Sequence, residues 1–152
     1  MSLPVRVESP LSVVRASGPE QVAACLVIRR TVFVEEQGVP VEVEVDEFDT
    51  EAMHYLALVS DEPVGTARLR LLPPFAKVQR VAVLPVFRGL GIGGALMRAL
   101  TDELREAPGE VRTLTLGSQQ SAVPFYESLG YRPHGEPFMD AGIPHIEMRL
   151  PV

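Results

Sequence analysis

The sequence holds no tryptophan, one cysteine and three histidines in 152 residues. A lone cysteine closes no internal disulfide, so nothing points to an oxidised, cross-linked scaffold. Scattered histidines and the lack of a cysteine pair give no metal-ligand spacing. The acidic stretch before residue 52 also lacks the Asp/Asn alternation and central glycine of a calcium loop. No metal is expected. No apolar run reaches the ~20 residues that cross a bilayer, and no charged segment followed by an apolar one marks export. A cytoplasmic chain without membrane contact is the expectation. Acids outnumber bases by 20 to 14, for a net charge of −6, which argues against broad nucleic-acid binding.

What remains is a globular composition, 46% hydrophobic and 22% charged, in a length that suits one domain over 1–152 with a real core. The charge is unevenly placed. No lysine or arginine lies between Thr31 and Ala67, where Glu35, Glu36, Glu42, Glu44, Asp46, Glu47, Asp49, Glu51, Asp61 and Glu62 all fall. Bases return at Arg68, Arg70, Lys77, Arg80 and Arg88. This pattern predicts one negative side and another suited to an anionic ligand.

Along the chain, residues 1–10 read as a loosely ordered lead-in and 11–15 as a short strand. Ser17-Gly18-Pro19-Glu20 has the spacing of a capping box. The helix after it places Val22, Leu26 and Phe33 on one side, with Arg29 or Arg30. It carries Cys25 as a buried small hydrophobe and stops near Gln37-Gly38. Val41-Glu42-Val43-Glu44-Val45 alternates like a strand, yet its charge suggests a mobile loop with a helical turn on the rim of a cleft. Strands follow over 53–60, 64–72 and 75–84. Next come a helix over 92–106 with Ile92, Leu96, Leu100 and Leu104 inward, a strand over 111–116, and a helix over 122–129. Strands over 131–138 and 143–150 close the chain. This order implies an α/β fold, layered around one mixed sheet.

The stretch that organises the rest is Val81-Ala82-Val83-Leu84-Pro85-Val86-Phe87-Arg88-Gly89-Leu90-Gly91-Ile92-Gly93-Gly94. It reads as strand, turn and glycine-rich helix start. The first amides of a helix lack intrahelical partners, and the helix dipole puts positive charge there. Glycines let an anion approach the backbone, and Arg88 adds a planar fork of donors. A diphosphate ligand follows from this, against the plainer alternative of a helix start packed on a sheet. Gly89-x-Gly91-x-x-Gly94 also matches a dinucleotide fingerprint. That pattern wants a strand running straight into the first glycine and an acid at the end of the next strand, and neither is here.

Arg88-x-x-Gly91-x-Gly93, after a Val-x-Val strand and a proline, resembles the pyrophosphate loop of the GNAT superfamily of N-acetyltransferases. Residues 118–130, followed by Tyr131, are similar to that superfamily's second motif. Phe33-Val34-Glu35-Glu36-Gln37 and the run from Phe138 to Met148 resemble a bacterial subgroup. The resemblance implies a mostly antiparallel sheet of six or seven strands flanked by helices, splayed between the strand ending near Leu84 and the strand over 111–116. It implies acetyl-CoA as acyl donor, held by the backbone of Val81, Ala82 and Val83, by Arg88, Gly89, Leu90, Gly91, Ile92, Gly93 and Gly94, and by Gln119 where the family often has Asn. An oxyanion donor near Val83 or Leu84 is part of the same implication. The acceptor, a primary amine of a small molecule or peptide, would meet Phe33, Glu35 and Glu36. Direct attack in a ternary complex is implied, and a homodimer is compatible with it.

Tyr126 is the candidate proton donor to the departing thiolate, since a phenol of pKa about 10 can protonate a thiolate. Its alternative is a core aromatic. Ser118 needs to do no more than cap. The base stays open among Glu35, Glu36, His54 and His145. Glu36 and His145 are the catalytic candidates with Tyr126, each set against an ordinary structural role. A non-catalytic acyl-CoA sensor is the competing function.

Overall fold

A computed structural model describes residues 11–152; the lead-in expected over 1–10 lies outside them. Seven strands form one sheet: β1 (Leu11–Arg15), β2 (Met53–Val59), β3 (Glu62–Leu72), β4 (Phe75–Val83), β5 (Thr113–Gln119), β6 (Arg132–Asp140) and β7 (Ile143–Pro151), in the order β1-β2-β3-β4-β5-β7-β6. Every neighbouring pair is antiparallel except β4 and β5. That parallel pairing covers only Phe75↔Thr113, Ala76↔Leu114 and Lys77↔Thr115. Beyond it the two strands part, at the place expected from the sequence.

Helix α3 (Ile92–Glu106) covers one face of the sheet. Ile92, Leu96, Leu100 and Leu104 are all buried and share a core with Tyr55, Val64, Leu69, Val78, Leu114, Leu116 and Met148. Each such aliphatic side chain contributes about 1.5–3 kcal/mol by leaving water. Gly65 sets the closeness of this packing: a Cβ there would meet the side chains of Ile92 and Leu96 at 3.1 Å.

Helix α1 (Gly18–Arg29) covers the other face. Its buried side is Cys25, Ile28, Arg29 and then Val32, against Leu56 and Ala82. The sequence-based face through Val22 and Leu26 is therefore rotated: those two are half-buried and Arg30 is exposed. Cys25 is fully buried with its thiol against the Tyr55 carbonyl. The capping box does not form. The Ser17 amide donates instead to the Gln21 side chain at 2.8 Å, one residue past the expected Glu20.

Past Arg29 the helix continues with wider turns. Residues Arg30–Glu36 are a π-helix, and Gln37 N–H reaches back five residues to the Val32 carbonyl. The Val-Glu alternation that follows is not a strand. Its centre is a single helical turn, α2 (Val41–Glu44), followed by turns to residue 51. Strand β5 runs three residues further than expected, so Ser118 is a buried strand residue whose hydroxyl bonds the Gln119 carbonyl, not a helix cap. Helix α4 (Val123–Ser128) is correspondingly short. No helix among the described residues is long and apolar enough to cross a membrane.

Candidate active site

β4 is bulged just past Lys77, its last residue paired with β5. Thr66 pairs with Ala82 but Arg68 pairs with Gln79, so β4 carries one extra residue opposite Ala67. Arg80 occupies the bulge with φ of 56°, in the left-handed region. Bulges bend a strand and increase its twist, which turns the far end of β4 away from β5. The left-handed backbone costs on the order of 1–2 kcal/mol at a residue with a Cβ, and side-chain contacts hold it. Arg80 Nε lies 2.8 Å from the Glu44 carboxylate, and its guanidinium also reaches Asp46 and the carbonyls of Val43 and Glu44.

These contacts belong to a larger network. Arg29, at 0% exposure, donates to Glu44 and Asp49 at 3.0 and 2.6 Å. Arg68 donates to Asp46 and Asp49 at 2.6 and 2.9 Å. Three guanidinium groups thus face three carboxylates, with Arg29, Arg68 and Glu44 buried and the others partly so, and removing a partner of the buried Arg29–Glu44 pair costs about 3–5 kcal/mol. Burial would raise the Asp49 carboxyl, but hydrogen bonds from Arg29 and Arg68 outweigh it and hold the group far below the usual carboxylate range. This corrects two expectations. Glu44, Asp46 and Asp49 are not an acidic rim, and Arg68 and Arg80 do not wait for an anionic ligand. These three acids fold inward onto bases from elsewhere in the chain, while Glu42, Glu47 and Glu51 stay exposed.

On the splayed side, the candidate donor residues come together. The Leu84 amide donates to the Val64 carbonyl at 2.9 Å, so it is not free for an oxyanion. Alternation along the strand then points the amide and carbonyl of Val83 the other way, away from β3. Gly89 and Gly91 have φ of 78° and 81°, and a Cβ on either would meet nothing within 4 Å. The first helical hydrogen bond is Ala95 N–H to the Gly91 carbonyl. Among the described residues, the six amides from Gly89 to Gly94 have no acceptor. An open cradle of uncommitted donors at a helix start fits a diphosphate. The later glycines have closer neighbours. A Cβ added at Gly93 would meet the Phe125 ring at 3.4 Å, and one at Gly94 would meet the Arg98 guanidinium at 3.0 Å.

That ring ties α4 to the cradle, and the next residue is Tyr126. Its ring packs edge-on against Phe125 at 4.9 Å and Tyr131 at 5.9 Å. Burial pushes its phenol up to about 12. The hydroxyl therefore keeps its proton across the whole neutral range.

Gln119 ends β5, on the other wall of the splay, directly opposite His145 of β7. His145 is buried and stacked on Phe138. Its Nδ1 lies 2.7 Å from the Ile143 carbonyl. A carbonyl can only accept, so Nδ1 carries the hydrogen and Nε2 of the neutral ring keeps a free lone pair. His54 sits elsewhere, buried beside the ion network with Nε2 at 2.8 Å from the Asp49 carbonyl.

The π-helix delivers the third wall. Phe33 packs, as Leu84 of the β4 end does, against the core cluster that holds Ala82. Glu36, at the last π turn, meets Arg88 through two parallel bonds of 2.6 and 2.7 Å. Arg88 hydrogen bonding holds the Glu36 carboxyl below its ordinary range, which weakens it as a base. Arg88 Nε also donates to the Val83 carbonyl at 3.0 Å. Glu35 is exposed beside it. Sequence reading selected Arg88 and Glu36 separately and missed that they meet. It also missed the Arg29–Arg68–Arg80 network, whose signal was the long base-free stretch bounded by arginines. Among the described residues, no group of three or more His, Cys, Asp or Glu could hold a metal ion.

Known proteins resemble this chain in sequence and fold. Residues 14–152 match a family described as "Acetyltransferase (GNAT) domain". The chain is 40% identical over 139 residues to the uncharacterized N-acetyltransferase YjcF of Bacillus subtilis (strain 168), covering 91% of this chain and 98% of that one. Among solved structures, an acyl-CoA N-acyltransferase from Pseudomonas aeruginosa superposes with a TM-score of 0.77 at 28% identity, over 93% and 99% of the two chains. Escherichia coli ElaA does so with a TM-score of 0.75 at 30% identity, over 93% and 98%.

Proposed function

The chain belongs to the GNAT acetyltransferase family, and from that premise we propose that it is an N-acetyltransferase that moves an acetyl group from acetyl-CoA to a primary amine of a small molecule or peptide, with both substrates bound at once. The observation that carries this reading is the cradle of six acceptor-free amides from Gly89 to Gly94, opening beside the splay between β4 and β5. Those amides and the helix dipole would hold the diphosphate. Val81, Ala82 and Val83 from one wall and Gln119 from the other would hold the pantetheine arm.

Acetyl-CoA, when bound, supplies an acyl group activated as a thioester. The chain's own residues then have three tasks. His145 Nε2, the accepting nitrogen, takes the proton that the amine must lose. The Val83 amide, turned into the splay, faces the position where negative charge develops on oxygen. Tyr126, which burial keeps protonated but also makes a weaker acid, gives its proton to the sulfur as the carbon–sulfur bond breaks and the carbon–nitrogen bond forms. Phe33, Glu35 and Glu36 line the acceptor side, where Glu36 acts as an anchor for positive charge and less readily as a base.

The test is release of free CoA thiol from acetyl-CoA in the presence of diverse amines, polyamines and peptides. Amine-dependent release supports the reading. CoA binding without release on a broad panel would favour a sensor, and thermal stabilisation by NAD with none by CoA would overturn the CoA assignment.

A further inference from the structure

Arg88 stands between two claimants. Its Nε is bonded to the Val83 carbonyl in the splay, and its two terminal nitrogens form a fork on the Glu36 carboxylate, at 2.7 and 2.6 Å. The pair joins the glycine cradle to the end of the π-helix, and so bridges the donor and acceptor walls over the end of β4. A planar guanidinium presents the same fork to a carboxylate and to a phosphate. It cannot give its two parallel bonds to both at once.

The strength of the existing pair matters here. The side chains of Arg88 and Glu36 are 43% and 38% exposed. Ion pairs in water are worth little, so this one can be exchanged. The amides of Gly89 to Gly94 lie within one to six residues of Arg88, so an anion seated on them arrives beside the fork. Once Arg88 turned to that anion, Glu36 would keep no basic neighbour close in sequence on its C-terminal side, because no lysine or arginine lies between Thr31 and Ala67. A carboxylate so placed, next to Phe33 on the acceptor wall, recognises a positively charged amine.

On the functional reading above, we propose that the diphosphate of CoA and the carboxylate of Glu36 compete for Arg88, so that donor binding uncovers Glu36 as the anchor for a cationic amine acceptor. The donor then binds first. The coupling is a linkage between two sites through one shared side chain.

Calorimetric titration of CoA into the wild type, Glu36→Gln, Arg88→Ala and the double variant tests the exchange. Removing the competitor should tighten CoA binding about two- to fivefold, the size of an exposed ion pair's contribution. Arg88→Ala should weaken it, and the double variant should match Arg88→Ala alone. Unchanged or weaker binding in Glu36→Gln overturns the proposal, as does a tightening that persists without Arg88, which would be a general charge effect. Carbon-detected NMR titration of the glutamate carboxyls, with Glu36→Gln identifying the signal, reads the release itself. Saturating CoA should raise the pH at which Glu36 titrates, and no rise overturns the exchange. If CoA binds to none of the four proteins, the acetyl-CoA assignment fails; if it binds and the cycle is flat, only the exchange does.

Discussion

Arg80 holds a left-handed backbone, φ 56°, while its guanidinium lies 2.8 Å from the buried carboxylate of Glu44. The ion pair and the backbone strain meet in one residue, so two substitutions separate them. Arg80→Gly loses the pair but relieves the strain, whereas Arg80→Ala loses the pair and keeps it. The alanine variant should be the less stable, by about 1 kcal/mol. Urea unfolding midpoints measure the gap; identical midpoints would mean that the bulge relaxes without Arg80.

The same network makes stability depend on acid. Asp46 and Asp49 have carboxyls lowered by their arginine partners despite burial. Their stabilisation is complete above the ordinary carboxylate pKa of about 4 and is lost as pH falls through the lower folded values. The melting temperature should drop steeply below about pH 4. Asp49→Asn should melt lower at neutral pH and show a shallower decline. Calorimetric scans from neutral to strongly acidic buffer test this, and parallel curves for the two proteins would refute it.

Two glycines of the turn should answer differently to alanine. Gly91 sits at φ 81°, so Gly91→Ala should lose about 1 kcal/mol and bind CoA less tightly. Gly93 has no such backbone, and its added methyl would rest on the Phe125 ring at ordinary contact, 3.4 Å. Gly93→Ala should be neutral or more stable, by up to about 1 kcal/mol from helix propensity. Thermal melts of both variants, compared with CoA titrations, distinguish an open cradle from a packed one.

Tyr126→Phe removes one hydroxyl from a ring that stays packed between Phe125 and Tyr131. If that hydroxyl protonates the sulfur, kcat should fall about 100-fold or more with CoA affinity unchanged. Because burial raises the phenol to about 12, the wild-type rate should show no loss from its ionisation up to about pH 10. A variant with full kcat would return Tyr126 to the role of a core aromatic.

Which parts of this architecture could be read beforehand follows from where the determining contacts lie. Helix α3 was legible because Ile92, Leu96, Leu100 and Leu104 repeat every four residues and all face one core. The glycine turn was legible because donors, dipole and missing Cβ atoms are local properties. Over Val41–Val45 the helical turn was legible from charge, but the inward fate of Glu44 was not, because it is decided by Arg29 and Arg80, 15 and 36 residues away. Those contacts draw the carboxylate inside and wind the backbone into a turn. The π-helix left no local signature either; Phe33 packing against the cluster that holds Ala82 is a tertiary contact. Ser118 illustrates the reverse error, since a polar residue before a helix looks like a cap until the strand's true length is known.

Cys25 has a practical corollary. The chain's one thiol is sealed on the inner face of α1, hydrogen-bonded to the Tyr55 carbonyl, and burial raises its pKa, so the reactive thiolate is both scarce and out of reach. A colorimetric thiol reagent added to the folded protein will therefore register liberated coenzyme with no background from the polypeptide. The same reagent in denaturant will register one equivalent per chain, which turns a structural residue into an internal gauge of how much protein has opened.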